Sequence, residues 1–107
     1  MNQVKEITPK EAAEMARAGA RIVDIREAAE LRAGMIPGAE HAPLSLIGIK
    51  PPRSEPGRAV IFHCKSGGRT GMNAAALART LPDCEVYLLR GGVDAWRAAG
   101  LPLIQPA

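Results

Sequence analysis

Short apolar runs alternate along this chain with more polar segments whose apolar residues recur at helical spacing. Runs of β-branched and apolar residues predict strands, and glycine, proline or capping residues separate them from the predicted helices. Strands that alternate with helices indicate an α/β sandwich built on a mainly parallel sheet. Strands are predicted at 4–7, 21–25, 40–42, 59–63 and 85–89, helices at 9–18, 27–33, 71–80 and 93–99, one helical turn at 44–49, and a loop at 51–57.

Two of these elements carry the clearest local signals. Thr8 can cap a helix, Pro9 suits its first turn, and Glu11 stands where it completes a capping box, so a helix is predicted to begin here. The run 59–63 is apolar almost throughout and is typical of a strand that is buried on both faces of a parallel sheet. We therefore expect 59–63 to lie near the centre of the sheet.

The segment after this central strand combines a cysteine, two glycines and two cations. Cys64 leaves the strand at the carboxyl edge of the sheet, where open α/β folds bind their ligands. The glycines let the backbone turn several N–H groups inward, and the following helix adds its positive end. Such surroundings, with two cations beside them, lower a thiol pKa. The segment predicts a thiolate nucleophile, Cys64, facing an anion-binding loop formed by Lys65, Ser66, Gly67, Gly68, Arg69 and Thr70.

Cys64 and the polar residues near the same edge can each be interpreted as structural or as functional. A lone cysteine at a strand end is also common as a small buried apolar residue. His63 precedes Cys64 and points to the opposite face, so we interpret it as structural, and His41 as a strand-edge residue. Asp24 and Arg26 end the second strand and either support the site or form a structural ion pair.

Composition narrows the class of protein. The chain has 107 residues, which suits one domain over 1–107, and its formal charge is +3. The basic residues are scattered and no aromatic ladder accompanies them, so no nucleic-acid partner is expected. Charged residues interrupt the N-terminal region and no apolar stretch could span a bilayer, which predicts a cytoplasmic protein without a membrane segment. Two cysteines and two histidines without paired spacing predict no metal site and no cofactor.

Four motifs in order resemble those of a single rhodanese domain. They are "IVDIREAAE" at 22–30, "GMIPGAEHAPLS" at 34–45 with Met35 in place of the usual histidine, "CKSGGRT" at 64–70, and "LLRGGVDAWRAAGLPL" at 88–103. The segments "IFHC" and "HAPLSL" are most similar to bacterial rhodaneses fused to a membrane anchor. A stand-alone relative and the domain of a membrane-anchored parent are both compatible with this resemblance.

The resemblance implies a three-layer fold, with a five-stranded parallel sheet flanked by helices, and sulfurtransferase chemistry. A sulfane sulfur would pass from a small anionic donor such as thiosulfate to Cys64 and form a persulfide. A thiophilic acceptor would then remove it: cyanide in assays, and a thiol or protein cysteine in the cell.

Two rival functions share these features. Related phosphatases carry a loop of the form Cys-x5-Arg, whereas Cys64 and Arg69 are separated by four residues, which makes a tighter loop that suits sulfur better than phosphate. A non-catalytic persulfide carrier or partner-binding module would keep the same cysteine. Turnover with thiosulfate and cyanide separates the carrier from the enzyme.

The second cysteine raises the question of a disulfide mechanism. Cys84 precedes the last predicted strand and should lie at the amino edge of the sheet, whereas Cys64 lies beyond the carboxyl edge. A strand of five residues separates these edges by roughly 16 Å, and a disulfide needs Cα atoms within about 7 Å. No intramolecular bond between the two cysteines is expected.

Overall fold

A computed structural model describes residues 4–106 and contains one five-stranded sheet. All four strand pairings are parallel, and the strand order is β1-β5-β4-β2-β3. The predicted α/β fold with a five-stranded parallel sheet is therefore confirmed. A single domain over 1–107 stays a prediction, and residues 1–3 and 107 lie outside the described part. The strands are β1 Lys5–Ile7, β2 Arg21–Asp24, β3 Glu40–His41, β4 Ala59–His63 and β5 Glu85–Leu89.

Helices cover both faces of the sheet. The α-helices are α1 Pro9–Arg17, α2 Gly68–Met72, α3 Ala74–Thr80 and α4 Gly92–Ala98, and 3₁₀ turns occupy Ala28–Ala33 and Leu44–Leu46. Helix α1 starts as its sequence predicts, because Thr8 Oγ1 accepts from the Glu11 N–H at 3.1 Å while the Thr8 N–H donates to the Glu11 carboxylate at 2.9 Å. None of the helices within residues 4–106 is long and apolar enough to cross a bilayer.

The prediction of one helix from Gly71 to Thr80 is wrong in two respects. Helix α2 already begins at Gly68, because Gly67 adopts a left-handed conformation with φ of +94° and turns the chain into the helix. At Asn73 the φ of −114° leaves the helical range, and α3 starts afresh at Ala74. The loop after Cys64 is consequently shorter than the sequence suggests.

Central strand β4 divides its side chains between two apolar cores. Val60 and Phe62 pack on one face together with Leu77 of α3, and Ile61 packs on the other together with Trp96 of α4. This alternation buries β4 on both faces, as the apolar run predicts. Burial of both faces fixes the register of the strand, and with it the position of the cysteine that follows.

The ends of the parallel strands bring several polar residues to one edge. Asp24 is paired in register with His63 and with His41, so the carboxyl ends of β2, β3 and β4 coincide. Cys64 follows directly after His63. The predicted site residues therefore share the edge of the sheet where their strands end.

Candidate active site

Cys64 begins a short loop between β4 and α2, and only 1% of its surface is exposed. Its Sγ accepts a hydrogen bond from the Gly67 N–H at 3.2 Å. The Thr70 hydroxyl lies 3.8 Å from the sulfur and 3.2 Å from the Gly67 carbonyl, so its one proton can serve either acceptor. Ionisation of the thiol favours donation to sulfur.

The pKa of Cys64 results from two opposing influences. Burial raises it, whereas hydrogen bonds from the backbone and hydroxyl of Thr70 and from the backbone of Gly67 and Arg69 lower it. The second influence prevails, and the thiol pKa lies below its ordinary value. The backbone cradle expected from the glycines is therefore present around the sulfur.

Carboxylates from other elements hold the side chains of Lys65 and Arg69, the two cations that follow Cys64. Arg69 donates from both terminal nitrogens to the Glu30 carboxylate, each at 2.7 Å. Lys65 Nζ lies 3.0 Å from Asp94 Oδ2 in an exposed pair. Sequence reasoning missed both partners. The only available signal for Glu30 was its three-residue spacing from Glu27, which forms a capping box in the structure.

Backbone hydrogen bonds from helix α4 hold the loop in place. The N–H groups of Val93 and Asp94 donate to the carbonyls of Cys64 and Lys65, both at 3.0 Å. Gly92 makes this approach possible, since a Cβ there would come within 2.5 Å of both carbonyl oxygens. The Gly-Gly pair of the last motif thus holds the backbone of Cys64 in place.

The remaining predicted loop residues lie at the surface. Ser66 and Gly68 are exposed, and Gly67 is half-buried. A Cβ at Gly67 would come within 3.2 Å of the Gly91 nitrogen, so close packing against α4 adds to the conformational need for glycine. Their role in substrate binding stays a prediction.

Asp24 and Arg26 form a fully buried ion pair at the end of β2. Arg26 Nη2 lies 2.7 Å from Asp24 Oδ2, and it also donates to the Gly34 carbonyl at 2.9 Å. Arg26 Nη1 reaches the Glu30 carbonyl at 3.4 Å. The pair therefore anchors the segment that carries Glu30, which favours a supporting role.

The two histidines lie close to this ion pair. His63 is fully buried, donates from Nδ1 to the Cys64 carbonyl at 3.0 Å, and places Nε2 3.5 Å from Asp24 Oδ2. Burial lowers its pKa, although Asp24 opposes the shift. His41 Nε2 lies 2.7 Å from the Arg26 carbonyl. Across residues 4–106, no three His, Cys, Asp or Glu side chains are grouped as a metal ion would require.

Cys84 lies at the other edge of the sheet. It precedes β5, whose first residue Glu85 is in register with Ala59 at the start of β4. Its Sγ donates to the Glu55 carbonyl at 3.3 Å, and both cysteines are free. The predicted separation of the cysteines by the length of a strand is confirmed by this register.

Comparisons with known proteins agree with the motifs. The family model for the rhodanese-like domain matches residues 8–99. A sulfurtransferase of Allochromatium vinosum is 40% identical over 79% of this chain and 78% of its own length. Thiosulfate sulfurtransferase GlpE of Ectopseudomonas mendocina is 32% identical over 92% of this chain and 89% of its own length.

A solved structure shows the same fold. The crystal structure of a rhodanese-related protein from Thermoplasma volcanium has a TM-score of 0.82 and 23% identity. The match covers 94% of this chain and 97% of that one. With the family model spanning most of the residues, the chain belongs to the family of rhodanese-like domains.

Proposed function

We propose that the protein is a sulfurtransferase that carries a sulfane sulfur as a persulfide on Cys64. Relatives named sulfurtransferase and thiosulfate sulfurtransferase support activity of this general kind. The observation that carries the proposal is the sulfur of Cys64 set among the Gly67 amide, the Thr70 hydroxyl and further backbone donors. These donors favour the thiolate, which is the nucleophilic form.

The reaction begins with attack of the Cys64 thiolate on the outer sulfur of the donor. With thiosulfate, a bond forms between the two sulfurs, the bond to the sulfonate sulfur breaks, and sulfite leaves with the electron pair. An acceptor nucleophile then attacks the terminal sulfur and regenerates the Cys64 thiolate. Amides around the loop stabilise the negative charge on the persulfide in the interval.

Burial of Cys64 favours sulfur over phosphate as the transferred group. The residue is 1% exposed, so an incoming group must be slim enough to enter a loop that already closes on the sulfur. A single sulfur atom at the end of a donor meets this condition better than a tetrahedral phosphate. Arg69, the residue that would hold phosphate oxygens in a Cys-x5-Arg loop, is already bound at two positions by Glu30.

The acceptor and the compartment belong to the proposal as well. A thiol or a protein cysteine is the proposed acceptor, and the cytoplasm the proposed location. Two free cysteines, both buried, are compatible with a reducing compartment.

Mass spectrometry of protein incubated with thiosulfate tests the proposal. We expect a gain of one sulfur on Cys64, release of sulfite, and repeated turnover when cyanide is added. Cys64→Ser should abolish the gain and the turnover, and Cys84→Ala should keep both. Turnover by Cys64→Ser within about threefold of the parent would contradict the assignment, and sulfur loading without turnover would favour a persulfide carrier.

A further inference from the structure

The cations beside Cys64 are matched by carboxylates. Arg69 is bound at two positions by Glu30, and Lys65 is paired with Asp94. Buried Arg26 is paired with Asp24. Arg97 Nη1 lies 3.9 Å from Asp94 Oδ1, and Arg97 Nη2 donates to the Ala33 carbonyl. The two cations closest to Cys64 in sequence, Lys65 and Arg69, are therefore each neutralised by a carboxylate, although the chain as a whole carries a formal charge of +3.

Glu30 is more firmly held than Asp94. Its Oε2 accepts from the Glu27 N–H at 2.9 Å as well as from Arg69, and its own carbonyl accepts from Arg26. The hydrogen bonds from Arg69 lower the pKa of Glu30 to about 2. The carboxylate is consequently ionised at every physiological pH, and it neutralises Arg69 throughout that range.

Neutralisation of Arg69 by Glu30, and of Lys65 by Asp94, removes an attraction whose strength depends on the charge of the donor. The thiolate of Cys64 is itself an anion, so a dianionic donor is repelled about twice as strongly as a monoanionic one. The matched cations leave little net attraction to offset this repulsion. Thiosulfate carries two negative charges, whereas an organic persulfide or thiosulfonate carries one.

Resting on the proposed function, we propose that Glu30, aided by Asp94, selects sulfur donors with a single negative charge. The donor class is an organic sulfane anion, R–S–S⁻ or R–SO₂–S⁻. The Cys64 thiolate attacks its outer sulfur, the sulfur–sulfur bond of the donor breaks, and R–S⁻ or R–SO₂⁻ leaves with the electron pair. Charge and oxidation state balance, since one sulfur atom moves and no electrons are added or removed.

Thiosulfate and methanethiosulfonate form a matched pair of probes. Both present a terminal sulfur on a tetrahedral sulfonyl sulfur, and they differ by the replacement of one anionic oxygen by a methyl group. Rate constants for loading of Cys64 would be measured by mass spectrometry in the parent, Glu30→Gln, Asp94→Asn and Glu55→Gln. The Glu55 variant is the control, because it makes the same charge change beside Cys84 at the opposite edge of the sheet.

The ratio of the thiosulfate rate to the methanethiosulfonate rate is the decisive quantity. Glu30→Gln should raise this ratio by about threefold to tenfold and Asp94→Asn by about twofold, with smaller effects at high salt. Glu55→Gln should leave the ratio unchanged. A carboxylate that merely positions Arg69 would slow both donors equally, so an unchanged ratio in Glu30→Gln and Asp94→Asn would overturn the inference. If neither donor loads Cys64, the proposed function itself is overturned.

Discussion

Two cysteines lie at opposite edges of the same sheet, and each is 1% exposed. Cys64, beyond the carboxyl edge, has a sulfur that accepts from an amide and faces a hydroxyl. Cys84, at the amino edge, has a sulfur that donates to a carbonyl. Burial raises the pKa of the Cys64 thiol, and the hydrogen bonds that its sulfur accepts more than offset this effect. The direction of the hydrogen bonds, and not the exposure, therefore distinguishes the predicted nucleophile from a core residue.

Displacement of the Cys64 loop should cause the largest loss of sulfur transfer. A methyl group in Gly92→Ala would collide with the carbonyls of Cys64 and Lys65, so the loop must move away from α4. Because a displacement of about 1 Å can cost about a hundredfold in rate, we expect at least that loss in sulfur transfer, measured as kcat/KM with thiosulfate and cyanide.

The matched control for this change is Gly57→Ala. Gly57 also has a positive φ, but no atom lies within 4 Å of the added methyl group. It should lose some stability through backbone strain and keep its activity. Equal losses of activity in the two variants would show that the contact with α4 does not matter.

Removal of the Thr70 hydroxyl should have an intermediate effect. Thr70→Val keeps the shape of the side chain but removes a donor that lowers the pKa of Cys64. We expect the thiol pKa to rise and loading at low pH to slow by about tenfold, as the loss of a hydrogen bond to a charged group implies. Higher pH should restore the rate, and a loss that persists at all pH values would indicate a steric cause.

Acid stability should report the Glu30–Arg69 pair. The folded pKa of Glu30, about 2, lies below its ordinary value of 4.5, so the pair stabilises the fold above pH 4.5 and this contribution is lost as the pH falls towards 2. The melting temperature of the parent should exceed that of Glu30→Gln at pH 6 and approach it at pH 2. A gap that stays constant over this range would contradict the ion pair.

Substitution at the other edge should have the smallest effect. Cys84→Ala removes a buried sulfur and its hydrogen bond to the Glu55 carbonyl, at a cost of about 1 kcal/mol in the free energy of unfolding. Sulfur transfer should stay within about twofold of the parent. A large loss of turnover would place Cys84 in the reaction and remove the contrast between the edges.

Local sequence signals account for the parts of this picture that depend on neighbouring residues. The cap at Thr8, the buried strand β4 and the opposite positions of the two cysteines follow from capping chemistry, apolar periodicity and the parallel order of the strands. Each depends on residues close in sequence or on the direction of a strand. These features could be predicted from the sequence alone.

Contacts between distant residues could not be predicted in this way. Glu30 and Arg69 are 39 positions apart, and each alone is an ordinary charged residue on a short helical segment. The interruption of the helix at Asn73 could not be predicted either, because Asn73 is followed by an alanine-rich stretch that favours a continuous helix. The cradle could therefore be predicted, whereas the charge balance around it required the structure.

Direct titration of the Cys64 thiol is the sharpest test of the central claim. Thiolate absorbance near 240 nm, followed against pH in the Cys84→Ala variant, reports only Cys64 and needs no reagent to reach the buried sulfur. The variant lacking both thiols, Cys64→Ser with Cys84→Ala, supplies the baseline. The account predicts a midpoint below the ordinary thiol value of 9.0, and a midpoint at or above 9.0 would contradict it.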